Sequence, residues 1–495
     1  MKPFAMLLLL LPPLAGCSSS SESSADPGDV GVGADVDVDS TSGGDTAIGG
    51  DSFVGGDSTP LGDSALPDVV TPDTGIPLGD ATVTYSCARE IHVAVTGNDA
   101  NAGTAAAPLK TIAKATPTAK PGDCVLVHAG TYAESTTIGF FAEGTASAPI
   151  VVRSVDGRGA AIVDAAGNRS GPTVLIHADY VIVDGFEFRN SPTDTGEQVV
   201  HFDGLTKGKG VGSVLRNCKL TGGYDHLKIN QASRGILVEH NEFYGTFGHI
   251  PISLTGASGL VFRGNYAHDW NTGGNGAVQL KGGSTDVLFE GNRFVDIKSD
   301  AGTIALGDGC DSTCDVDPEH YAAVRVRAID NVMVRVGRGF DVQGCKDCAV
   351  LSNTIVDSGV GNVIFKLTKA TTNGVTHDTL NARIVDNLVA NSGGDQGEVI
   401  QVNDPSGAGL QMDYNLVWNG AKPVSWGGSH PSSADAHSIT KDPLFVAAAS
   451  GDYSLKAGSP AIAAGLNVIA DVPVDFDGTK RPATAAFDLG AFQTR

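Results

Sequence analysis

The 495-residue chain has few positive charges and few aromatic residues. Lys and Arg number 33 against 56 Asp and Glu, which gives a net charge of −23, and aromatic residues make up 6% of the chain. A protein that binds nucleic acid neutralises phosphates with a basic face, so this charge balance argues against nucleic acid as a partner. The scarcity of aromatic residues, together with 65 glycines, suits a chain with many tight corners.

Long apolar runs are also missing. The run Met6–Leu11 is too short to span a bilayer, which predicts a cleaved export signal rather than an anchor helix. It leads into Leu-Ala-Gly-Cys at 14–17, which resembles the bacterial lipoprotein cleavage box. Residues 1–16 are therefore the predicted signal peptide and Cys17 the predicted lipidation site, the alternative being an ordinary signal peptide with an incidental cysteine. Ser18, in place of Asp, resembles the pattern for sorting to the outer membrane.

Residues 17–84 contain no basic residue and almost no aromatic ones. They hold twelve Asp and one Glu, which is 13 of the 23 net negative charges, and the rest of the chain nets about −10. Such a segment cannot bury enough apolar surface to offset the entropy lost on ordering, so we expect a disordered, self-repelling tether. Repeated Gly-Asp-Ser pieces leave calcium loops as an alternative, although no fixed ligand spacing with a closing Glu is present.

From about residue 200 a short unit recurs: apolar residues, a Gly or charged residue, an asparagine, then apolar residues again. The asparagines are Asn217, Asn241, Asn265, Asn292, Asn331, Asn353 and Asn387, at steps of 24, 24, 27, 39, 22 and 34 residues. A period in the twenties that lengthens only by insertion is typical of a solenoid, and the alternation around each asparagine predicts strands. The fold class is therefore all-β, a parallel β-helix. Asparagine is expected there because it tolerates left-handed turns and can hydrogen-bond from coil to coil.

The cysteines after the first are Cys87, Cys124, Cys218, Cys310, Cys314, Cys345 and Cys348. In an exported protein disulfides are the expected state, and seven cysteines leave one thiol free. We predict that Cys87 pairs with Cys124 to close an N-terminal cap, and that Cys218 is a buried, inert thiol. For the four between 310 and 348, two local bridges, cross-linking of the two pairs and a zinc site all stay open.

Motifs at both ends of the region after residue 84 point to a known group of proteins. The first end reads Ile-His-Val-Ala-Val-Thr-Gly-Asn-Asp at 91–99, with Pro-Gly-Asp at 121–123 and Gly-Thr-Tyr at 130–132. The far end has Asp-Pro-Leu-Phe at 442–445 and Asp-Phe-Asp-Gly at 475–478. These segments resemble the secreted bacterial right-handed parallel β-helix proteins, which include polysaccharide lyases acting on alginate, dermatan-type glycans and pectin.

The resemblance implies a domain plan and a partner. An N-terminal cap with a short amphipathic helix and the first coil would occupy 85–135, the right-handed parallel β-helix 136–440, and a C-terminal end segment 441–495. A cap is needed because an open β-helix end is an exposed sheet edge. We expect a monomeric outer-membrane lipoprotein that binds an extracellular polysaccharide, with or without cleaving it.

Alternation along the strands predicts which side chains face outward. Pairs such as Leu227/Ile229 and Ile252/Leu254 should point inward, so the residues between and after them should form two outward rows on one sheet. The first row is His201, Lys228, Ser253, Gln279, Ala305, Asp341, Lys366 and Gln401, and the second is Asp203, Asn230, Thr255, Lys281, Gly307, Gln343, Thr368 and Asn403. Such polar rows suit an extended glycan. The alternative is plain solvation, because the outer face of any soluble β-helix is polar.

β-Elimination on a uronic acid needs a base, a cation that neutralises the carboxylate, and an acid for the leaving oxygen. Lys228 is the predicted base, provided that neighbours or desolvation lower its pKa toward the working pH. Lys281 is the predicted neutralising cation. It lies two coils from Lys228, and because neighbouring coils are about 4.8 Å apart, the two lysines are expected within roughly 10 Å of each other. His226 and His249 are the alternative acid or base.

The remaining site predictions concern substrate and metal. The predicted substrate-binding residues are His201, Gln279, Asp341, Gln343, Lys366, Trp270 and Tyr266, the last two as rings that stack on sugars. In the similar lyases a Lys or Arg acts beside calcium, which implies Asp203, Asp225 and Asn230 as calcium ligands here. The acidic insertion 308–320 is either a second calcium site or a disulfide-pinned loop over the groove.

Overall fold

The computed structural model describes residues 85–494 except 169, 205–209, 274, 360–362, 393–397, 404–407, 421–424 and 429–435. The predicted signal peptide, the lipidation site Cys17 and the predicted tether lie outside these residues. In the described part, no helix is long and apolar enough to cross a membrane.

Three long parallel sheets wind into one right-handed β-helix, and each regular coil adds one strand to each sheet. In the described residues the first sheet has the strands β1 (Arg89–Val93), β2 (Asp123–Val127), β5 (Ile150–Ser154), β8 (Val181–Asp184), β11 (Val214–Arg216), β14 (Leu237–Glu239), β17 (Val261–Arg263), β21 (Leu288–Glu290), β25 (Arg327–Ile329), β29 (Ala349–Leu351), β34 (Arg383–Val385) and β37 (Gln411–Asp413). The second sheet has β3 (Gly130–Ala133), β6 (Ala161–Asp164), β9 (Glu187–Ser191), β12 (Lys219–Gly222), β15 (Glu242–Tyr244), β18 (Tyr266–Gly273), β22 (Arg293–Ser299), β26 (Val332–Val334), β30 (Thr354–Val356), β35 (Leu388–Ala390) and β38 (Leu416–Trp418). The third, which we call the groove sheet, has β4 (Ile138–Phe140), β7 (Val174–Ile176), β10 (Val200–Phe202), β13 (Leu227–Ile229), β16 (Ile252–Thr255), β19 (Val278–Lys281), β23 (Gly302–Leu306), β27 (Arg338–Gln343), β31 (Phe365–Thr368), β36 (Glu398–Val402) and β39 (Ser425–Gly428). The predicted fold class is confirmed.

Short elements complete the chain. They are the parallel strands β20 (Ser284–Thr285), β24 (Ala323–Val324) and β28 (Cys345–Lys346), the hairpins β32 (Ala370–Thr372) with β33 (Val375–His377) and β40 (Phe445–Ala447) with β41 (Asp452–Leu455), the helix α1 (Ile112–Ala115), and the 3₁₀ turns Thr116–Thr118 and Ala448–Ser450. Helix α1 is the predicted cap: Ile112 and Ala115 are buried in the first coils, and the Thr111 hydroxyl accepts a hydrogen bond from the Lys114 amide at 3.3 Å.

The groove sheet has the predicted register. The residues of the first outward row pair one above another, in the order His201, Lys228, Ser253, Gln279, Ala305, Asp341, Lys366 and Gln401. In the second row Thr255 pairs with Lys281, and Gln343 with Thr368. The flanking inward side chains are almost fully buried, as Leu227 and Ile229 illustrate at 0% exposure. Strand alternation alone therefore located the polar face correctly.

An asparagine ladder runs along the corner between the first and second sheets. In the described residues it comprises Asn241, Asn265, Asn292, Asn331, Asn353, Asn387 and Asn415. The Nδ2 atom of each donates to the Oδ1 atom of the next at 2.9–3.1 Å. The predicted coil-to-coil hydrogen bonding is confirmed, and it satisfies polar groups that are buried at every coil.

Two details of the asparagine prediction were wrong. The ladder position on this coil belongs to Cys218 and not to Asn217, because the backbone amide of Cys218 donates to Asn241 Oδ1 at 2.9 Å. The left-handed turn conformation belongs to the residue before each ladder asparagine, as at His240 (φ 55°) and Asp330 (φ 51°). At the ladder positions asparagine thus supplies side-chain hydrogen bonds, whereas Asn217, one residue before the ladder position on its coil, itself adopts the left-handed conformation at φ 53°.

Replacing Asn331 by alanine should lower the free energy of unfolding by about 1–3 kcal/mol, because it leaves buried partners without hydrogen bonds. The Asn331 amide group donates to Phe289 O at 3.1 Å and accepts from the amide of Asn292 at 3.0 Å. Urea denaturation measures the change. The matched control is Asn271→Ala at an exposed position of β18, for which we expect at most about 0.5 kcal/mol; an equal loss in both variants would contradict the structural role of the ladder.

The disulfides settle the open alternatives for the cysteines. Cys87 pairs with Cys124 as predicted. The four cysteines between 310 and 348 form two local bridges, 310 with 314 and 345 with 348, so neither a cross-link nor a zinc site uses them. Cys218 is a buried free thiol, and burial raises its pKa to about 12, which keeps it protonated and inert.

The last segment packs against the outside of the first two sheets instead of adding coils. Val468, Val472 and Phe487 pack on Leu351 and Val385 of the first sheet. On the second sheet, Tyr453 and Ala491 cover residues such as Val332, Val334 and Val356. Outward apolar side chains on these coils are explained by this cover, because they would otherwise face water.

The junction also contains a buried carboxyl group with a perturbed pKa. Asp386 precedes the ladder residue Asn387, and its Oδ1 atom accepts from the Leu466 amide at 2.7 Å. Burial raises the pKa of Asp386 to about 7 from an ordinary value near 4, although the Leu466 amide opposes the shift.

Because the pKa of Asp386 is raised in the folded state, its contribution to stability is complete below about pH 4 and is lost as the pH rises toward 7. The Asp386→Asn variant should lose that part of the pH dependence and be more stable than the parent above pH 7. Urea midpoints at several pH values between 4 and 8 test this. The exposed Asp300→Asn variant should follow the parent curve, and an unchanged slope in Asp386→Asn would refute the assignment.

Candidate functional site

Lys228 lies in the middle of the polar face of the groove sheet. Its side chain is half-buried, and Nζ donates to Ser253 Oγ at 2.7 Å and to Thr255 Oγ1 at 3.5 Å on the next coil. Burial lowers the pKa of Lys228, and the positive charge of Lys281 lowers it further against the opposing effect of Asp225. The direction of this shift is the one that a lysine base requires, and Lys281, two coils away, is near enough to lower the pKa of Lys228.

A neutral histidine lies beside this lysine. His201 is one coil away in the same row, and burial lowers its pKa to about 4, with Asp203 opposing and Lys228 reinforcing the shift. The Asn230 Nδ2 group donates to His201 Nε2 at 2.9 Å, which leaves the proton on Nδ1. His201 is therefore uncharged, and its Nε2 atom is already used by Asn230.

A histidine oriented by a carboxylate lies at the edge of the groove sheet. His249 Nδ1 is 3.2 Å from Asp225 Oδ1, and the same oxygen accepts from the Ile250 amide at 3.1 Å. The His249 ring stacks on Tyr224 with centroids 4.8 Å apart, and its side chain is 38% exposed. Asp225 is only 2% exposed. A buried carboxylate that holds Nδ1 leaves Nε2 available for proton transfer, which favours His249 over His226 as the acid.

Two predicted site residues are in the core, and those predictions were wrong. His226 is fully buried, its Nε2 atom is 3.0 Å from Thr246 O, and burial lowers its pKa to about 4. Trp270 is 1% exposed, with its ring 5.5 Å from that of His226. Neither ring can reach a glycan, because both point into the corner between the second sheet and the groove sheet.

Tyr266 was also misplaced by the sequence reasoning. It lies on β18 of the second sheet, outside the groove sheet, with its ring stacked on His268 at 4.3 Å. It further packs beside the cluster that joins the second sheet to the last segment. Its assignment to the groove is therefore corrected.

The acidic insertion forms a wall beside the second row. Its disulfide pins it as a loop, and Gln231 Nε2 donates to Thr313 O at 2.8 Å. A Cβ atom at Gly282 would lie 2.3 Å from Cys314 O, so only glycine permits this contact. Asp308, at the start of the loop, accepts a hydrogen bond from Gln279, and burial raises the pKa of Asp308. The structure contains the predicted disulfide-pinned loop, which lies beside the second row, and a second calcium site stays a prediction.

Other predicted contacts lie in the rows but differ in accessibility. Gln279, Gln343 and Lys366 are partly exposed on the polar face. Asp341 is 3% exposed; its Oδ2 atom accepts from the Gly302 amide at 2.8 Å and pairs with Arg338 at 3.1 Å. Its role is thus to hold neighbouring coils together, because little of the carboxylate faces the groove.

The three predicted calcium ligands do not form a ready cation site. The Oδ1 atom of Asp225 is used by two hydrogen bonds, and Asn230 is turned toward His201. In the described ranges, no three His, Cys, Asp or Glu residues are grouped as metal ligands. Calcium needs six to eight oxygen ligands, which this donor set does not supply as arranged. Calcium stays a prediction.

The structure adds residues that the sequence reasoning missed. Phe141 and His177 extend the second row toward the N-terminal end, since they directly follow β4 and β7 as Asp203 follows β10. Tyr224 supports His249 by stacking. The signal for the first two was available, because the same strand alignment continues two coils further back.

Known proteins resemble this chain in fold. A sequence model of the family described as Pel9A-like, right-handed β-helix region, matches residues 91–247. Pectate lyase PEL9 of Emericella nidulans is 33% identical over 107 residues, 22% of this chain and 21% of that protein, so the match spans about a fifth of the length of this curated relative. Among solved structures, pectate lyase Pel9A has a TM-score of 0.48 at 18% identity over 86% of this chain and 99% of the other, and the PL6 family polysaccharide lyase Pedsa3628 from Pseudopedobacter saltans has 0.45 at 12% over 74% and 97%. The resemblance to β-helix polysaccharide lyases is confirmed.

Proposed function

We propose that this protein binds an extracellular acidic polysaccharide along the groove sheet and cleaves it by β-elimination. The observation that carries the proposal is Lys228, a half-buried amine with a lowered pKa in the middle of a polar, coil-spanning row. The match to a pectate lyase over 107 residues supports the same class of substrate. Perturbed pKa values cluster at functional sites, and a lowered pKa is what a lysine base requires.

In the proposed reaction neutral Lys228 takes the proton from the sugar carbon next to the carboxylate. The electron pair of that C–H bond forms the C=C bond, and the glycosidic C–O bond breaks. The departing oxygen receives a proton from Nε2 of protonated His249, which Asp225 orients. Lys281 neutralises the carboxylate, which makes the carbon acid stronger.

The location of the protein is also part of the proposal. Cleavage before Cys17 and lipidation there would anchor the chain in the outer membrane, with residues 18–84 as the spacer. The polysaccharide would then be met outside the cell or in the periplasm by a monomer. Radiolabelled fatty acid incorporation that is lost in Cys17→Ser tests the anchor.

A non-catalytic glycan-binding protein is the second candidate. It is favoured by the poor calcium donor set at Asp203, Asp225 and Asn230 and by the hydrogen bonds that Lys228 already makes to two hydroxyls. These features fit a groove that binds without reacting.

The two candidates are separated by one assay. The purified protein is incubated with alginate, pectate and dermatan, each with and without calcium, and the ultraviolet absorbance of the unsaturated product is followed. Cleavage of at least one glycan is expected. Binding without product on all three, in both conditions, would replace the lyase proposal with the binding protein, and the calcium arms test the predicted cofactor.

A further inference from the structure

Phe141 is an unusual residue on the polar face of the groove sheet. Its side chain is 63% exposed, more than any other phenylalanine in the described part of the chain. Exposed phenylalanine loses the free energy of apolar burial, and this one contributes nothing to the core. We infer that Phe141 and His177 form an outer sugar-binding subsite for the same glycan, an inference that rests on the proposed function.

The backbone places Phe141 in line with the candidate site. The amide of His177 donates to Phe140 O at 3.1 Å, that of Asp203 to Ile176 O at 3.2 Å, and that of Asn230 to Phe202 O at 3.0 Å. Phe141, His177, Asp203 and Asn230 therefore occupy the same place on four successive coils. Phe141 lies three coil spacings, roughly 14 Å, from the coil of Lys228.

The two rings are held in a fixed arrangement. The Phe141 and His177 rings stack with centroids 5.3 Å apart and planes 21° from parallel. The ring of Phe141 folds back over Gly139, where a Cβ atom would lie 2.2 Å from Cε2, so the missing side chain makes room for it. On the next coil, Asp203 Oδ2 lies 3.9 Å from His177 Nε2, so a carboxylate stands beside the ring pair.

The chemistry of the Phe141–His177 pair fits a sugar ring as its ligand. A single exposed aromatic ring is too small for a stable protein interface, which needs a large apolar core. A pyranose has one apolar face of C–H groups and a rim of hydroxyls. The ring of Phe141 can stack on the apolar face. His177 and Asp203, at the same place on the next two coils, can hydrogen-bond to the hydroxyls. A glycan chain that reaches from Lys228 to Phe141 must be several sugar units long.

The test uses the full chain and length-defined oligomers of alginate, pectate and dermatan. Phe141→Ala should weaken binding of the long oligomers by about tenfold, the loss expected for one aromatic contact. The affinity for the short oligomers should stay unchanged. Phe141→Trp should keep the parent affinity. Val446→Ala, which shortens another exposed apolar side chain outside the groove, should change nothing.

Binding is measured by calorimetry in the Lys228→Met background, so the result does not depend on cleavage. A length-dependent loss in Phe141→Ala supports the subsite even if the parent cleaves none of the glycans, and the lyase proposal then fails by itself. Equal affinities of Phe141→Ala and its parent at every length overturn the inference. Absence of binding to all three glycans overturns it as well.

Discussion

Replacing Lys228 by methionine should lower the rate of glycan cleavage by about 10²- to 10⁴-fold, the contribution expected of a general base. Methionine keeps most of the side-chain volume in the half-buried position but cannot accept a proton. The affinity for uncleaved glycan should stay within a few-fold, because the rest of both rows is intact. Initial rates from product absorbance and affinities from calorimetry measure the two effects separately.

Two further variants sharpen this result. Lys228→Arg keeps the positive charge but stays protonated, so it should be as inactive as Lys228→Met. Lys456→Met, on the exposed surface of the last segment, should retain full activity. Full activity in Lys228→Arg would show that Lys228 acts as a cation and not as the base.

The pH profile of the parent enzyme follows from the same assignment. The profile should be bell-shaped, because the base Lys228 acts only when it is deprotonated and the acid His249 only while it is protonated. The rising limb follows the pKa of Lys228. Because burial lowers that pKa, the rise should occur below the range of an ordinary lysine.

Replacing Arg481 by leucine should lower the free energy of unfolding by about 3–5 kcal/mol, because it leaves the carboxyl group of Asp330, whose pKa burial already raises, without its buried partner. Arg481 is fully buried, and its Nη2 atom is 2.5 Å from Asp330 Oδ1 and donates to Gly490 O at 2.9 Å. Its guanidinium group also lies over the ring of Phe487. Urea denaturation should show the loss directly.

A double variant separates the charge effect from the loss of packing. Asp330→Leu combined with Arg481→Leu should recover most of the stability, since a buried ion pair can often be replaced by apolar residues at little cost. The exposed pair of Arg335 with Asp296 is the matched comparison, and Arg335→Leu should cost about 1 kcal/mol or less. Similar losses in Arg481→Leu and Arg335→Leu would contradict the anchoring role of the buried pair.

The polar rows and the buried asparagines were predictable for a physical reason. In a parallel β-helix each strand repeats the alternation of the one before it, so aligning apolar pairs is enough to place Lys228 and Lys281 on one face. The repeated asparagine located the corner to within one residue: Asn217 was predicted as a ladder residue, and Cys218 occupies that position. A local, periodic pattern carries this information without any long-range contact.

The failures concern residues outside the groove sheet. His226, before β13, and Trp270, within β18, were expected at the groove edge because of their types and spacing, but both rings lie in the core. Tyr266 lies on the second sheet because it directly follows the corner asparagine Asn265. The position relative to that corner decides which sheet a residue joins, whatever its distance from Lys228 in sequence. The direction of side chains outside the groove strands depends on packing between coils. The period-two alternation of a strand does not predict it.

The sequence by itself determined the β-helix and the outward rows, since both follow from spacing or from alternation along the strands. The pairing of Cys87 with Cys124 was a prediction that the structure confirms. Only the tertiary structure decided the state of the groups in the site. The lowered pKa of Lys228, the hydrogen bond from His249 to Asp225 and the stack of Phe141 on His177 all arise between different coils. Burial and neighbouring charge set such properties, and both depend on residues that are far apart in sequence.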